Sequence, residues 1–170
     1  MKIYIACSLT HVPRIHFEEY VAFLHQLANS ITEDDRYTVK YALLNSDPQL
    51  AEKPAQERAR LCYLWDAKMV READVIIAEC SFPSTGLGIE LQIAVENETP
   101  IVIIFRDFAG NQAPPAAYAN PDSTIHELQV GEGFVSLMAL GLPSLFKVHR
   151  YGNTESGTKC VLETLNLLHQ

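Results

Sequence analysis

Residues 73–95, ADVIIAECSFPSTGLGIELQIAV, decide how the rest of the chain is read. The run ADVIIAE is apolar and β-branched, which predicts a buried strand. From Leu87 to Asn97 the apolar residues recur at helical spacing. Between strand and helix lie Pro83, Ser84, Thr85, Gly86 and Gly88, bracketed by Glu79 and Glu90. A strand feeding a helix through so short a turn is one half of a βαβ unit, and such units build parallel sheets.

The same alternation extends on both sides. KIYIAC reads as a first, central strand, and the apolar residues from Ile15 to Ile31 fall on one helical face. RYTVKYALL reads as a second strand. A polar connection, NSDPQLAEKPAQ, leads to a helix striped by Leu61, Trp65, Met69 and Ala73. PIVIIF is a fourth strand, apolar enough to be buried on both faces. The Gly-, Pro- and Ala-rich stretch at 107–122 reads as a long loop or lid. A helical piece is expected within STIHELQVGEGFVSLMALG, then a fifth strand, LFKVHRY, and a closing helix over ESGTKCVLETLNLLHQ.

These elements predict one α/β domain over residues 1–170: a doubly wound, flavodoxin-like or Rossmann-like parallel sheet of five strands with helices on both faces. Right-handed crossovers favour the order 2-1-3-4-5. Ligands of such sheets bind beyond the carboxyl ends of the strands where the order reverses, here between strands 1 and 3. The loops CSLTHVPR and CSFPSTG lie at that point.

Composition limits the partners. The 170 residues are 48% hydrophobic and carry a formal net charge of -8. An acidic chain has no basic face for a nucleic acid polymer or an anionic membrane, so an anionic ligand must be held by local donors. Cys7, Cys62, Cys80 and Cys160 form no C-x-x-C pair and no zinc spacing. A reduced, cytoplasmic protein without metal or cofactor is expected, with no leader and no bilayer span.

Several side chains bear on chemistry. The turn at Ser84, Gly86 and Gly88 reads either as an anion cradle, with backbone N–H groups at the positive end of a helix, or as a capped helix start with a tight turn. Glu90 is placed in the first helical turn, where the dipole favours an ionised carboxylate suited to nucleophilic attack or simply to helix stability. Asp66 follows Cys62 by four residues and lies at the edge of the apolar stripe. It is either a partly desolvated acid or an Asp turned to solvent. Tyr4 belongs either to the core or against a carboxylate. Glu79 ends its strand on the ligand edge, where it touches a ligand or holds a neighbour, and Ser8 lies in the opposite loop.

Taken together, KIYIACSL, YLWDAKMVREADVIIAE and SFPSTGLGIELQIAV resemble the nucleoside 2-deoxyribosyltransferase family, on the side of its 2'-deoxynucleoside 5'-monophosphate N-glycosidases. The resemblance implies hydrolysis of a (deoxy)nucleoside 5'-monophosphate to free base and sugar 5-phosphate. Glu90 matches the nucleophile, Asp66 the acid that assists the departing base, and Tyr4 the tyrosine that positions the nucleophile. Ser84, Gly86 and Gly88 match the phosphate cradle, and Ser136 matches a phosphate-binding serine from the neighbouring subunit of a homodimer with shared sites. Three departures stand out: the first loop lacks the family's glycines, Gln92 replaces a small residue, and the insertion around Pro114 to Pro121 is longer than the hydrolase branch implies. The rival expectations are a transferase that exchanges bases on deoxyribose and a non-catalytic nucleotide-binding module.

Overall fold

A computed structural model describes residues 1–169, so Gln170, the last residue of the expected closing helix, lies outside the described residues. The chain runs β1 (Lys2–Cys7), α1 (Arg14–Thr32), β2 (Thr38–Tyr41), α2 (Ala42–Asn45), α3 (Asp47–Ala51), α4 (Ala55–Glu72) and β3 (Val75–Glu79). It continues through α5 (Thr85–Glu96), β4 (Ile101–Arg106), β5 (Ala117–Ala119), β6 (Ile125–Glu127), α6 (Leu137–Leu140), β7 (Leu145–Tyr151) and α7 (Thr154–Leu168). Five strands form one sheet in the order β2-β1-β3-β4-β7, every pair parallel. This is the expected 2-1-3-4-5 order, with β7 as the fifth strand.

Side chains alternate across the sheet and build a core on each face. Ile3, Ile5, Ile77, Val102 and Ile104 pack against Phe23, Leu24 and Leu27 of α1 and Val161 and Leu165 of α7. Tyr4, Ala6, Ile76, Ala78, Ile101 and Ile103 pack on the other face against Ala67 and Val70 of α4 and Leu87, Leu91 and Ala94 of α5. β1, β3 and β4 are covered on both sides, and this explains their near-continuous apolar sequences.

The structure corrects three expectations. The second strand stops at Tyr41, and Ala42 onward turns helical, because the Asn45 side chain accepts the Tyr41 amide at 3.0 Å and closes a turn. The 107–122 stretch is not wholly loop. Ala117–Ala119 pairs antiparallel with Ile125–Glu127 as a short exposed hairpin, on a segment expected to be part helical. The only helix within that segment is the one-turn α6. No helix among the described residues is long and apolar enough to cross a membrane.

One close approach fixes α7 on the sheet. A Cβ placed on Gly157 would lie 2.9 Å from Tyr151 Cδ2 and 3.0 Å from Phe23 Cε2, two rings stacked at 4.7 Å. Alanine there gains helix propensity but must push the rings apart. Gly157→Ala should therefore destabilise the fold by roughly 1 to 3 kcal/mol, read as a Tm fall of about 3 to 10 °C in thermal unfolding.

Candidate active site

The order of the sheet reverses between β1 and β3, whose last residues, Cys7 and Glu79, are paired in register. Beyond them lies the crevice where this class of sheet takes its ligands. Three acids and a tyrosine from the sequence reading are near it, but they divide between the two faces.

Tyr4, Glu90 and Asp66 come together on the α4/α5 face. Tyr4 is wholly buried in the middle of β1 and donates its hydroxyl to Glu90 Oε1 at 2.6 Å. Glu90 is half-buried. It does not lie in the first turn of its helix: Ser84 caps α5 and the helix begins at Thr85, which puts Glu90 in the second turn. The helix dipole falls off within one turn, so it is not what sets the charge of Glu90. Burial pushes Glu90 up from 4.5 to about 8, the Tyr4 bond pulls it down, and the nearby charge of Asp66 raises it. Tyr4 in turn is held far above its ordinary value by burial and by the charges of Glu90 and Asp66, so it remains a neutral donor.

Asp66 is half-buried on α4 and takes one donor. The Cys62 thiol, one turn earlier, donates to Asp66 Oδ2 at 3.3 Å. Asp66 Oδ1 is buried and has no hydrogen-bond partner among the described residues. Buried polar atoms are nearly always paired, and an orphan carboxyl oxygen beside a second carboxyl marks a place where a ligand can complete the bonding.

Ser84, Gly88 and Ser136 line a cavity of about 730 Å³, together with His11, Phe82 and Gln92. Much of its remaining wall is apolar, from Leu87, Leu91, Phe134, Val135 and Leu142. The glycines do not make a tight turn; both lie inside α5. A Cβ on Gly88 would meet no atom within 4 Å, so the helix surface there is bare toward the cavity. Ser84 Oγ accepts the Leu87 amide at 3.3 Å, and Ser136 Oγ accepts the Met138 amide at 3.3 Å. Each hydroxyl spends a lone pair on a helix cap and keeps its O–H free to donate. The capping reading and the anion reading are therefore compatible.

Glu79 and Ser8 lie elsewhere. Glu79 is 0% exposed and, two residues along β3 from Ile77, faces α1 and α7. Its Oε1 accepts the Ser81 hydroxyl and, at 3.0 Å, that of Tyr151; Oε2 accepts the Ser81 amide at 3.3 Å. Burial raises it, while Ser81, Tyr20 and Tyr151 hold it down. Ser8 is also buried: its hydroxyl donates to the Phe82 carbonyl and its amide to Tyr20 at 3.1 Å. Ser8 fixes the two loops of the crevice to each other, Glu79 ties the end of β3 to Ser81 and Tyr151, and both side chains are buried and not on the cavity wall.

Sequence reasoning passed over Cys62 and gave His11 no role. The i, i+4 spacing of Cys62 and Asp66 was visible, but a thiol is not usually sought as a carboxyl's partner. Among the described residues His11 is the one histidine on the cavity wall, and no Asp, Glu, Lys or Arg joins it there. Among the described residues no three His, Cys, Asp or Glu side chains gather so as to hold a metal ion.

No family model matches the chain. The inferred 2'-deoxynucleoside 5'-phosphate N-hydrolase 1 of Syntrophotalea carbinolica is 27% identical over 127 residues, covering 73% of this chain and 82% of that protein. The CMP N-glycosidase BcmB of Clostridium botulinum shares the fold with a TM-score of 0.56 at 13% identity, over 96% of this chain and 99% of that one. A conserved protein from Enterococcus faecalis V583 does so with a TM-score of 0.58 at 15% identity, over 96% and 98%. These likenesses agree with the resemblance carried by the three sequence segments: the chain is similar to enzymes of the nucleoside 2-deoxyribosyltransferase and N-glycosidase group.

Proposed function

We propose that the chain hydrolyses the N-glycosidic bond of a (deoxy)nucleoside 5'-monophosphate, with Glu90 as nucleophile and Asp66 as acid. The observation that carries this reading is the 2.6 Å bond from buried Tyr4 to Glu90 beside Asp66. It holds Oε1 in place and leaves Oε2 without a partner among the described residues, aimed by the helix and not by a mobile loop. Attack of the carboxylate on the anomeric carbon breaks the C–N bond, and the bonding pair leaves with the base, which takes a proton from Asp66. Water then attacks the same carbon, gives its proton to Asp66 and releases Glu90. Two carboxyls divide the work because an oxocarbenium-like centre needs negative charge on one side and a proton on the other.

The phosphate is assigned to the cavity beside Ser84 and Ser136, where hydroxyl donors and the bare first turns of α5 converge. The name of the S. carbinolica relative, a 5'-phosphate N-hydrolase, supports that assignment. Ser136 is taken to serve a neighbouring subunit's site as well as bordering its own: Leu137 and Met138 beside it are 47% and 83% exposed, an apolar edge that a second copy would cover. A second reading, a transferase exchanging bases on deoxyribose, is favoured by one feature. Among the described residues no Lys or Arg lines the cavity, so a phosphate there meets no permanent positive charge from them.

A panel of nucleosides and monophosphates, with and without an added base, separates the two. Free base from monophosphates alone supports hydrolysis, and a new nucleoside formed from the added base supports transfer. Each charge-assisted bond to phosphate is worth roughly 1.5 to 3 kcal/mol, about ten- to a hundredfold in kcat/KM. Ser84→Ala and Ser136→Ala should each lose that much with monophosphates and almost nothing with nucleosides. Equal handling of both substrate classes by the parent enzyme would remove the phosphate from the cavity.

The ionisation of Glu90 sets the pH dependence. A nucleophile must be ionised, so the rising limb of kcat/KM with pH should have its inflection at about 8. Tyr4→Phe removes the bond that lowers Glu90, and the inflection should move upward by about one pH unit. Stability runs the other way. The folded chain keeps the Glu90 proton to about pH 8 and the unfolded chain loses it near 4.5, so stability falls as pH rises through that window. Glu90→Gln should abolish base release, by roughly three orders of magnitude or more, yet raise Tm at pH 8 or above. A Gln variant that is no more stable there, or that keeps turnover within a few-fold, would count against a desolvated nucleophile.

A further inference from the structure

We propose that Cys62 is a positioning residue: its thiol pins Oδ2 of Asp66 and thereby presents Oδ1 as the oxygen that exchanges a proton with the leaving base. The inference rests on the reading of Asp66 as the acid and extends it to a side chain outside the motif. Cys62 Sγ lies 3.3 Å from Oδ2, one helical turn before it on α4, so the same rigid helix sets both ends of the contact. Burial, then the charge of Asp66 and the bond to it, pushes Cys62 up to about 11. The sulfur therefore keeps its hydrogen and acts as a donor. Oδ1, by contrast, is buried without a partner among the described residues.

A carboxyl group turns easily about its last bond, because the terminal torsion of Asp has broad wells. Without a donor on one oxygen, a proton on the other is not held in a fixed direction. With the thiol on Oδ2, the proton sits on Oδ1. As the C–N bond breaks, its electron pair passes to the base, the base takes the Oδ1 proton, and Asp66 is left as a carboxylate. The thiol keeps its own hydrogen throughout, and its bond to Oδ2 strengthens as negative charge develops there. The contact is thus worth more in the transition state than before it, which places its effect in kcat and not in KM. A thiol is a weak donor, so the effect is modest.

The test uses Cys62→Ala, Cys62→Ser and Asp66→Asn in the full chain, with two substrates that share a sugar phosphate and differ in how easily the base leaves. For the poor leaving base, Cys62→Ala should lower kcat by roughly three- to tenfold, with KM and the good leaving base changed by less than about twofold. Cys62→Ser, which restores a hydroxyl donor, should recover most of the loss, and Tm should stay near the parent value in both. Equal losses for the two bases, no loss for either, or a serine variant as slow as the alanine one would overturn the proposal. Asp66→Asn keeps the two failures apart. If it spares the poor leaving base, the acid role itself is wrong; if it is slow while Cys62→Ala is not, only the thiol is. Independent of turnover, the infrared S–H stretch lost in Cys62→Ser should lie at lower frequency than that of a free thiol and shift in Asp66→Asn. A band unmoved by Asp66→Asn would contradict the hydrogen bond.

Discussion

A carboxyl group with no access to water holds the ligand edge of this sheet together. Burying Glu79 is costly unless its oxygens are bonded, and the structure surrounds it with Ser81 and Tyr151. Ser81 carries the connection further, since its hydroxyl accepts the Arg106 amide at 2.8 Å and its carbonyl accepts Asn111 at 2.8 Å. The ends of β3, β4 and β7 are joined through Glu79 and Ser81. Removing any one donor would leave a polar group stranded in the core, and partly satisfied networks of this kind are less stable than none.

That constraint reaches the other face through the backbone. The loop from Cys80 to Pro83 is fixed by Glu79 at its start and by Ser8 on the Phe82 carbonyl, so Ser84 is delivered as a helix cap at a defined height. From there the helical period carries Glu90 over Tyr4. Alternation along the strands does the rest: Glu79 faces α1 and α7, while Tyr4 and its neighbours face α4 and α5. One face of the sheet secures the loops, and the other carries the carboxyl pair.

How much of this was legible depends on the length scale of each signal. The parallel sheet and its order were readable because DVIIA and PIVIIF are buried on both faces and leave no polar alternation to interpret. The start of α5 was misread because Gly86 and Gly88 look like turn residues; Ser84 caps ahead of them, and that shift moves Glu90 by a turn and removes the dipole as its stabiliser. The side on which Glu79 points follows from counting two residues on from Ile77, but only once the helices on each face are known. The β5–β6 hairpin was missed because three-residue strands with every side chain exposed carry no hydrophobic pattern. The Cys62–Asp66 contact needed atomic distances.

The raised pKa of Glu90 also bears on which reaction wins. A more basic carboxylate attacks better once it is ionised, but it leaves more slowly from the sugar in the second step. On the covalent reading, the glycosyl-enzyme then persists, and its fate depends on whether water or a second base reaches the anomeric carbon first. On that reading hydrolysis and base exchange share Glu90, Tyr4 and Asp66, and nothing in that trio separates them. What separates them is access. On the covalent reading, Oδ1 of Asp66, which is buried and has no partner among the described residues, serves water and an incoming base alike. On that reading selection falls to the wall of the crevice, above all to the first loop and its His11 and to α5 at Gln92, two of the segments where this chain departs from the pattern of the family it resembles.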